Sequence, residues 1–386
     1  MPDIVRAGRP IRVLHCPENV GGHPSQLAAG ERAIGLSSWC LTMVPHPFGY
    51  PADEIVWSTP PGRLRKLTDR VRIVWRALRD FDVVHFNFGQ TLFPARPLPS
   101  APRRLGVGAA VTTALEMRDA ELLRRRGKVI AVTFQGDDAR QGDVSRRLFD
   151  ITAATEVEQG YYTNETDEEK RRRIRRFDRV AHRIYALNPD LLHVLPSHAR
   201  FMPYASVNVR DWSPVPRRNS ARPVVVHAPS HRGAKGTRHV IAAIERLRAD
   251  GVDVDFRLIE GMPRDEARRH YEEAHLLIDQ LLIGWYGGLA VELMALGKPV
   301  VCYIRDADLR FIPDAMRQAL PIIRATPGNL YEVLKATLGQ GLDALHRMGE
   351  TGRRFVERWH DPIAVAGMHA RDYEELVAGQ QLEAAV

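Results

Sequence analysis

Arg232 and Lys235 stand three residues apart in Pro229-Ser-His-Arg-Gly-Ala-Lys-Gly236, between an apolar run, Pro223-Val-Val-Val-His-Ala228, and a helical stretch from about Thr237 to Ala249. Two cations in a glycine-bearing strand-to-helix turn, beside the unpaired N–H groups of a helix start, converge on a phosphate. The stretch is not a P-loop: the spacing before Lys235 differs, and no Ser or Thr directly follows it. It also reads as a charged, solvated turn. A second stretch runs from Gly284 to Val301. Gly284, Gly287 and Gly288 make a loop whose backbone can approach a ligand, Leu289, Leu293 and Leu296 fall at helical spacing, and Gly297 closes the helix. Glu292, one turn into that helix, is placed to accept ribose hydroxyls while the loop holds phosphates; the same spacing also suits a carboxylate on a packed helix. Asp306 and Asp308 could hold a divalent cation against a diphosphate, but they follow a late strand and read as a solvated loop.

The elements that position these groups alternate strand and helix. In the first half, strands read at Ile11–His15, Trp39–Met43, Val83–Asn87 and Val129–Phe134, and helices at Pro24–Ile34, Leu64–Leu78 and Val107–Arg126. In the second half, strands at Val254–Glu260, Leu276–Asp279 and Val300–Ile304 enclose a helix at Arg264–Ala274 and the glycine loop. Such alternation implies α/β architecture with parallel sheets, whose ligands bind beyond the carboxyl ends of the strands. The residues there are chemically distinctive: His15 and Cys16 lead into Gly21-Gly22, His85 and Asn87 close a strand, and Gln135-Gly136-Asp137-Asp138 follow the next. Taken singly, His15 and His85 read as core histidines; several polar strand ends together point to a site. Gly106-Val-Gly108-Ala-Ala-Val111 has the look of a dinucleotide fingerprint, but no strand precedes it and it reads as helix packing. Trp212 to Ser220, rich in proline and polar residues, reads as a linker. The expected domains are therefore residues 1–208, a linker at 209–222 and residues 223–386, with the last helix packing back on the first domain.

Composition narrows the function classes. Over 386 residues, 44% are hydrophobic and 26% charged, which supports two ordinary cores and excludes a disordered or collagenous chain. Lys plus Arg at 55 against Asp plus Glu at 47 gives +8, a balance that favours anionic partners. Between Glu168 and Leu187 the arginines surround an apolar face of Ile174, Phe177, Ala181 and Ile184 or Tyr185. This predicts a docked helix with a solvated basic face, or, through its 170–179 segment, peripheral contact with acidic lipid or a phosphorylated acceptor. Cys16, Cys40 and Cys302 have neither disulfide-framework nor metal-ligand spacing, which fits a reducing cytoplasm. No apolar run reaches the length of a membrane span, so the expectation is a cytoplasmic protein, at most peripheral to a membrane.

Together, the two arrays, the Gly21-Gly22 loop, APSHRGAKGT and GWYGGLAVELMALGKPVV resemble the family-4 glycosyltransferases of the GT-B fold, most strongly between Val224 and Tyr303. The resemblance implies two Rossmann-like domains facing across a cleft, a nucleotide-sugar donor held by the second, and metal-independent, retaining transfer with no further cofactor. By matching positions it implies Arg232, Lys235 and His85 as catalytic residues and Glu292 as the ribose-binding Glu. Gly21, Gly22, Asp279, Gly284, Gly287 and Gly288 join Arg232, Lys235 and Glu292 on the donor side, and Gln135, Asp137 and Asp138 fall on the acceptor or sugar side. The acceptor expected is a small molecule, a saccharide or a lipid-linked group. Two positions depart from the pattern: Gly284 replaces the first Glu of a Glu-x7-Glu motif, and Gln135 replaces a His. At Gly284 the expectation is a vacated space, open to water, the sugar, Asp279 or Gln280. Other readings of the chain are a nucleotide-sugar epimerase on the same architecture and a non-enzymatic binder of nucleic acid or another anionic ligand; the second lacks interleaved aromatics or a recognisable binding motif.

Overall fold

Strands Val83–Asn87 and Val129–Phe134 are buried at every position, as expected of strands covered on both faces. The computed structural model describes residues 5–6, 9–93, 114–215 and 222–385. The chain forms two compact units: residues 1–141, 163–206 and 362–386 make the first, and residues 142–162 and 207–361 the second. The sequence reading kept 142–162 with the first half and began the second domain beyond a linker at 209–222. That segment joins the second unit because its contacts are long-range: Ala153 packs with Ala234, Leu282 and Ile283, and its N–H donates to the Leu282 carbonyl at 3.1 Å.

In the first unit a short antiparallel ribbon, β1 (Val5–Arg6) and β2 (Arg9–Pro10), precedes the main sheet. That sheet contains β3 (Arg12–Cys16), β4 (Ser37–Thr42), β5 (Glu54–Ile55), β6 (Val83–Asn87), β7 (Val129–Phe134), β8 (Arg183–Ala186) and β9 (Arg200–Phe201). Every pairing is parallel, in the order β5-β4-β3-β6-β7-β8-β9. Helices His23–Ala33, Arg63–Asp80 and Asn164–Val180 follow their strands as a βα array requires. The helix expected over Val107–Arg126 is interrupted: residues 114–115 are helical, Met117 turns at φ +55°, and a separate helix runs Arg118–Arg125, while residues 94–113, with the glycine pattern at 106–111, lie outside those described. The final helix, Pro362–Ala385, packs on His23–Ala33 so closely that a Cβ on Gly30 would stand 2.2 Å from the Pro362 carbonyl oxygen. Val365, Ala366, Ala370 and Tyr373 on that helix are buried.

The second unit holds a parallel sheet in the order β11-β10-β12-β13-β14, made of β10 (Val224–His227), β11 (Asp255–Leu258), β12 (Leu276–Ile278), β13 (Val300–Cys302) and β14 (Ile323–Arg324). Helices Thr237–Ala249 and Leu330–Leu338 close its core around Val225, Leu276 and Val301. Among the described residues no helix is long and apolar enough to cross a membrane.

The basic run at 170–179 lies on the helix Asn164–Val180, and its cations are largely committed within the first unit. Lys170 and Arg173 are buried and donate to the carbonyls of Arg140 and Asp138, both at 2.7 Å. Arg172 and Arg176 pair with Glu116 at 3.2 and 3.3 Å, and Arg171 and Arg175 with Glu168 at 2.9 and 2.7 Å. Arg175 and Arg179 stay exposed on this helix. The apolar face also ends earlier than periodicity implied: Ile174 and Phe177 are buried, while Ile184 and Tyr185 belong to β8.

Candidate functional site

In the second unit, β10, β11 and β12 are neighbours and parallel, so the loops that follow them emerge at one end of the sheet. After β10 comes a single helical turn, Arg232–Lys235, begun by His231, whose Nδ1 accepts the Ala234 N–H at 3.1 Å. Its Nε2 then carries the proton and donates to Glu158 at 2.9 Å. Gly236, at φ +75°, reverses the chain into Thr237–Ala249. His227 at the end of β10 ties this turn to β12: one ring nitrogen meets the Ile278 carbonyl at 2.8 Å and the other the Thr237 hydroxyl at 2.9 Å. Burial pushes its pKa down, so it stays neutral and structural.

This arrangement brings Lys235 to Asp279 and the glycine loop. The Lys235 ammonium lies 3.6 Å from the Asp279 carboxylate and donates to the Gln280 side chain. Asp279, almost fully buried directly after β12, accepts the Gly287 N–H at 2.7 Å. A Cβ on Gly287 would lie 3.2 Å from the Lys235 nitrogen, so glycine permits the loop to approach the charge. Gly288 opens the helix Gly288–Ala295, whose first N–H groups have no intrahelical acceptors. Arg232 is placed differently: its exposed guanidinium is held by Glu260 through hydrogen bonds of 2.9 and 3.1 Å from Nε. A phosphate reaching Arg232 must therefore compete with that carboxylate.

Glu292 sits on the same helix, 8% exposed. Burial raises its carboxyl pKa to about 7, only partly opposed by the Arg264 guanidinium, whose Nη2 is 3.5 Å away. Arg264 begins the helix Arg264–Glu273 behind β11, and its guanidinium lies 5.6 Å from the centre of the Trp212 ring.

Gly284 overturns the expectation of a vacated space. Its φ is +90°, and a Cβ there would stand 2.6 Å from Arg305 Nη1. The Arg305 guanidinium fills the position, ion-paired to buried Asp308 at 2.8 Å, donating to the Ile151 carbonyl at 3.1 Å and stacked 3.6 Å over the Phe149 ring. Asp306 turns instead to Arg324. The two carboxylates of the Asp-x-Asp pattern are thus spent on different arginines, and among the described residues no group of three or more His, Cys, Asp or Glu could hold a metal ion. Sequence reasoning passed over Arg305, Glu260 and the 142–162 segment because each reaches the loops through contacts remote in the chain.

In the first unit, β3, β6 and β7 are adjacent, which gathers Gly21-Gly22, Asn87 and Gln135–Asp138 at one sheet end. Gly21 and Gly22 both have positive φ, 64° and 70°, as the turn into His23–Ala33 requires, and a Cβ on Gly22 would meet the Tyr50 ring at 2.8 Å. Asp138 is a turn residue: its carboxylate accepts the Gln135 N–H at 3.0 Å and the Gly136 N–H at 2.7 Å, and burial lifts its pKa to about 6. Asp137 pairs with Arg140 at 2.8 Å. Two buried polar atoms there have no hydrogen-bond partner, Gln135 Nε2 and Asn87 Oδ1. Phe88, next along, holds φ +56°, a conformation that costs a non-glycine residue roughly 1–2 kcal/mol.

His85 is a correction. It is fully buried within β6, with one ring nitrogen bonded to the Tyr373 hydroxyl at 2.6 Å and the other to the Thr133 hydroxyl at 2.7 Å. Both nitrogens are occupied, so His85 has no free group with which to touch a substrate. Burial also pushes its pKa well down. His15, likewise buried, bonds Glu31 at 2.9 Å.

No family model matches the chain, and no curated protein matches it. Solved structures do. Sucrose-phosphate synthase from Thermosynechococcus elongatus aligns with a TM-score of 0.57 at 13% identity, over 96% of this chain and 100% of that one. A glycosyltransferase from Rickettsia africae aligns at 0.58 and 11% identity, over 95% and 98%. HepE of Anabaena, solved in complex with UDP-glucose, aligns at 0.57 and 12% identity, over 94% and 99%. These neighbours are GT-B glycosyltransferases, and the likeness is one of fold: two α/β units, each built on a parallel sheet.

Proposed function

We propose that this chain is a glycosyltransferase that moves a sugar from a nucleotide-sugar donor to a separate acceptor. The observation that carries the reading is the convergence, at the carboxyl ends of β10 to β12, of Lys235, Asp279, the Gly287–Gly288 backbone and buried Glu292. A cation and unpaired helix N–H groups suit a diphosphate, and a buried carboxyl one turn along suits ribose hydroxyls. That HepE binds UDP-glucose on the same fold supports a nucleotide-sugar donor here.

In this reading Lys235 and the start of the helix Gly288–Ala295 stabilise the negative charge that develops on the diphosphate as the glycosidic bond breaks. Asp279 acts by holding the glycine loop through the Gly287 N–H and orienting Lys235. Arg232 leaves Glu260 and closes on the phosphates when the donor arrives. The acceptor oxygen bonds the anomeric carbon on the face from which the diphosphate departs and passes its proton to the leaving phosphate oxygen, so transfer proceeds with retention and without a carboxylate pair, a metal or a further cofactor. Asn87, Gln135 and Asp137 form the acceptor side, while Asp138 and His85 are structural. Calorimetric titration with UDP, GDP, dTDP and CMP, followed by assay of nucleotide release with and without acceptor saccharides, tests this. The expected result is binding of one nucleotide, at least tenfold weaker in Lys235→Met at about 1.4 kcal/mol per decade. Nucleotide release equally fast without any acceptor, or binding indifferent to Lys235, would refute it.

A further inference from the structure

We propose that the outer face of the helix Arg63–Asp80 docks on an anionic phospholipid surface. The helix buries Ile73, Val74 and Ala77 against the first unit. On the opposite side Leu64, Val71 and Trp75 are 76%, 41% and 66% exposed. Positions 64, 71 and 75 fall within one narrow stripe at the helical repeat of about 100° per residue. Arg65, Arg72 and Arg79, seven residues apart, run along the flank of that stripe with side chains 74%, 72% and 80% exposed; Arg65 and Arg72 share Asp69 at 3.6 and 3.4 Å and Arg79 meets Asp80 at 2.8 Å, solvent-exposed pairs that hold their cations only weakly. Over its length the helix carries seven cations against Asp69 and Asp80, a surplus of five.

The neighbouring sheet edge extends the patch. Arg76 lies 5.8 Å over the Trp39 ring and pairs with Glu54, next to Ile55. Trp39 and Ile55 are 37% and 45% exposed, so five of the nine exposed large apolar side chains among the described residues gather on this helix and edge. An apolar stripe containing tryptophan, flanked by arginines with long aliphatic stems, suits the plane between acyl chains and head groups. Negative head groups complete the charge balance. A second copy of the chain would set the same cations against one another, which disfavours self-association through this face. The helix Asn164–Val180, equally basic in sequence, lacks this character because its apolar residues Ile174, Phe177 and Val180 all lie in the core, so its exposed arginines flank no apolar stripe.

Co-sedimentation of the full chain with phosphatidylcholine vesicles, with and without roughly one-third phosphatidylglycerol, tests the surface. The expected result is binding to the anionic vesicles alone, weakened by salt. It should fall about tenfold or more in Trp75→Glu and in the double variant Arg65→Glu/Arg72→Glu, with circular dichroism and melting unchanged. Leu64→Glu, on the first turn, supplies the same readout if Trp75→Glu disturbs folding. Wild-type protein that ignores anionic vesicles, or binding that survives these substitutions, overturns the proposal. So does a dimer in sedimentation velocity, without lipid, that Trp75→Glu or Leu64→Glu converts to monomer, because the face would then belong to a second copy.

Discussion

Glu292→Gln should make the protein more stable at alkaline pH while weakening nucleotide binding. The carboxyl is buried, 3.5 Å from its arginine, and its pKa is raised from 4.5 to about 7. A carboxyl with a raised folded pKa binds its proton more tightly in the folded state. Its stabilising contribution is therefore full below about 4.5 and is lost as pH rises through about 7. The shift corresponds to about 3 kcal/mol at the alkaline limit, at 1.36 kcal/mol per pH unit. Gln mimics the protonated form at every pH, so its advantage over Glu should grow by roughly 2–3 kcal/mol between pH 5 and pH 8. For a unit of this size that is a difference of roughly 4–12 °C in Tm. The assay is calorimetric melting of both proteins at the two pH values, paired with nucleotide titration at pH 8. A destabilising Gln at both pH values would mean that Glu292 is ionised and well paired in the fold, and would sink the argument.

Lys235→Met should lower kcat/KM by roughly ten- to a hundredfold, the loss of one charged hydrogen bond at about 1.5–3 kcal/mol, whereas Arg232→Ala should cost less because phosphate must first displace Glu260; a larger loss in Arg232→Ala would reverse their order of importance. Gly284→Ala should lower stability by about 2 kcal/mol or more in urea unfolding, from left-handed strain plus displacement of Arg305 from Asp308. An unchanged urea midpoint would contradict this. Transfer activity should survive a chelator, and Asp306→Asn should leave it unaltered; loss of activity on chelation, restored by a divalent cation, would restore a metal role.

Much of the fold was legible because its signals are local. Val83–Asn87, Val129–Phe134 and Thr237–Ala249 lie where the apolar runs and helical spacing placed them. Lys235, Asp279 and Gly287 could be picked out from a glycine loop and two strand ends, since parallel topology makes neighbouring strand ends converge. What stayed hidden depends on distant partners. His85 lies in the middle of an apolar strand that ends in polar Asn87 and so reads like a site residue, yet its meaning is set by Tyr373, 288 residues away. The 142–162 segment has no strong periodicity; it joins the second unit through Glu156, held by Arg238 at 2.9 Å and His239 at 2.8 Å, and through the Glu158–His231 bond. Charge runs mislead in the same way. The arginines after Glu168 and those after Gly62 look alike in sequence and form ion pairs in both helices; what differs is that Leu64, Val71 and Trp75 face solvent while Ile174, Phe177 and Val180 lie in the core.

Gly284 shows how far a motif departure can be read without coordinates. A glycine where the family that the sequence resembles carries a carboxylate suggests a pocket altered for a different sugar. The geometry supplies a prior cause: the backbone is left-handed at φ +90°, and the Arg305 guanidinium occupies the space in front of the Cα. The Arg305 N–H also donates to the Gly284 carbonyl at 2.9 Å, so the same residue braces the loop through its backbone and fills the space with its side chain. Asp308 neutralises that guanidinium, and the Phe149 ring covers it. A Glu introduced at 284 would break this packing before it met any donor, and its effect on activity could not be assigned to sugar recognition. Any discrimination between donor sugars must then come from groups that leave Gly284 undisturbed. Under the proposed function those are the Gly288 backbone and the side chains of Asp279 and Gln280, which already share Lys235.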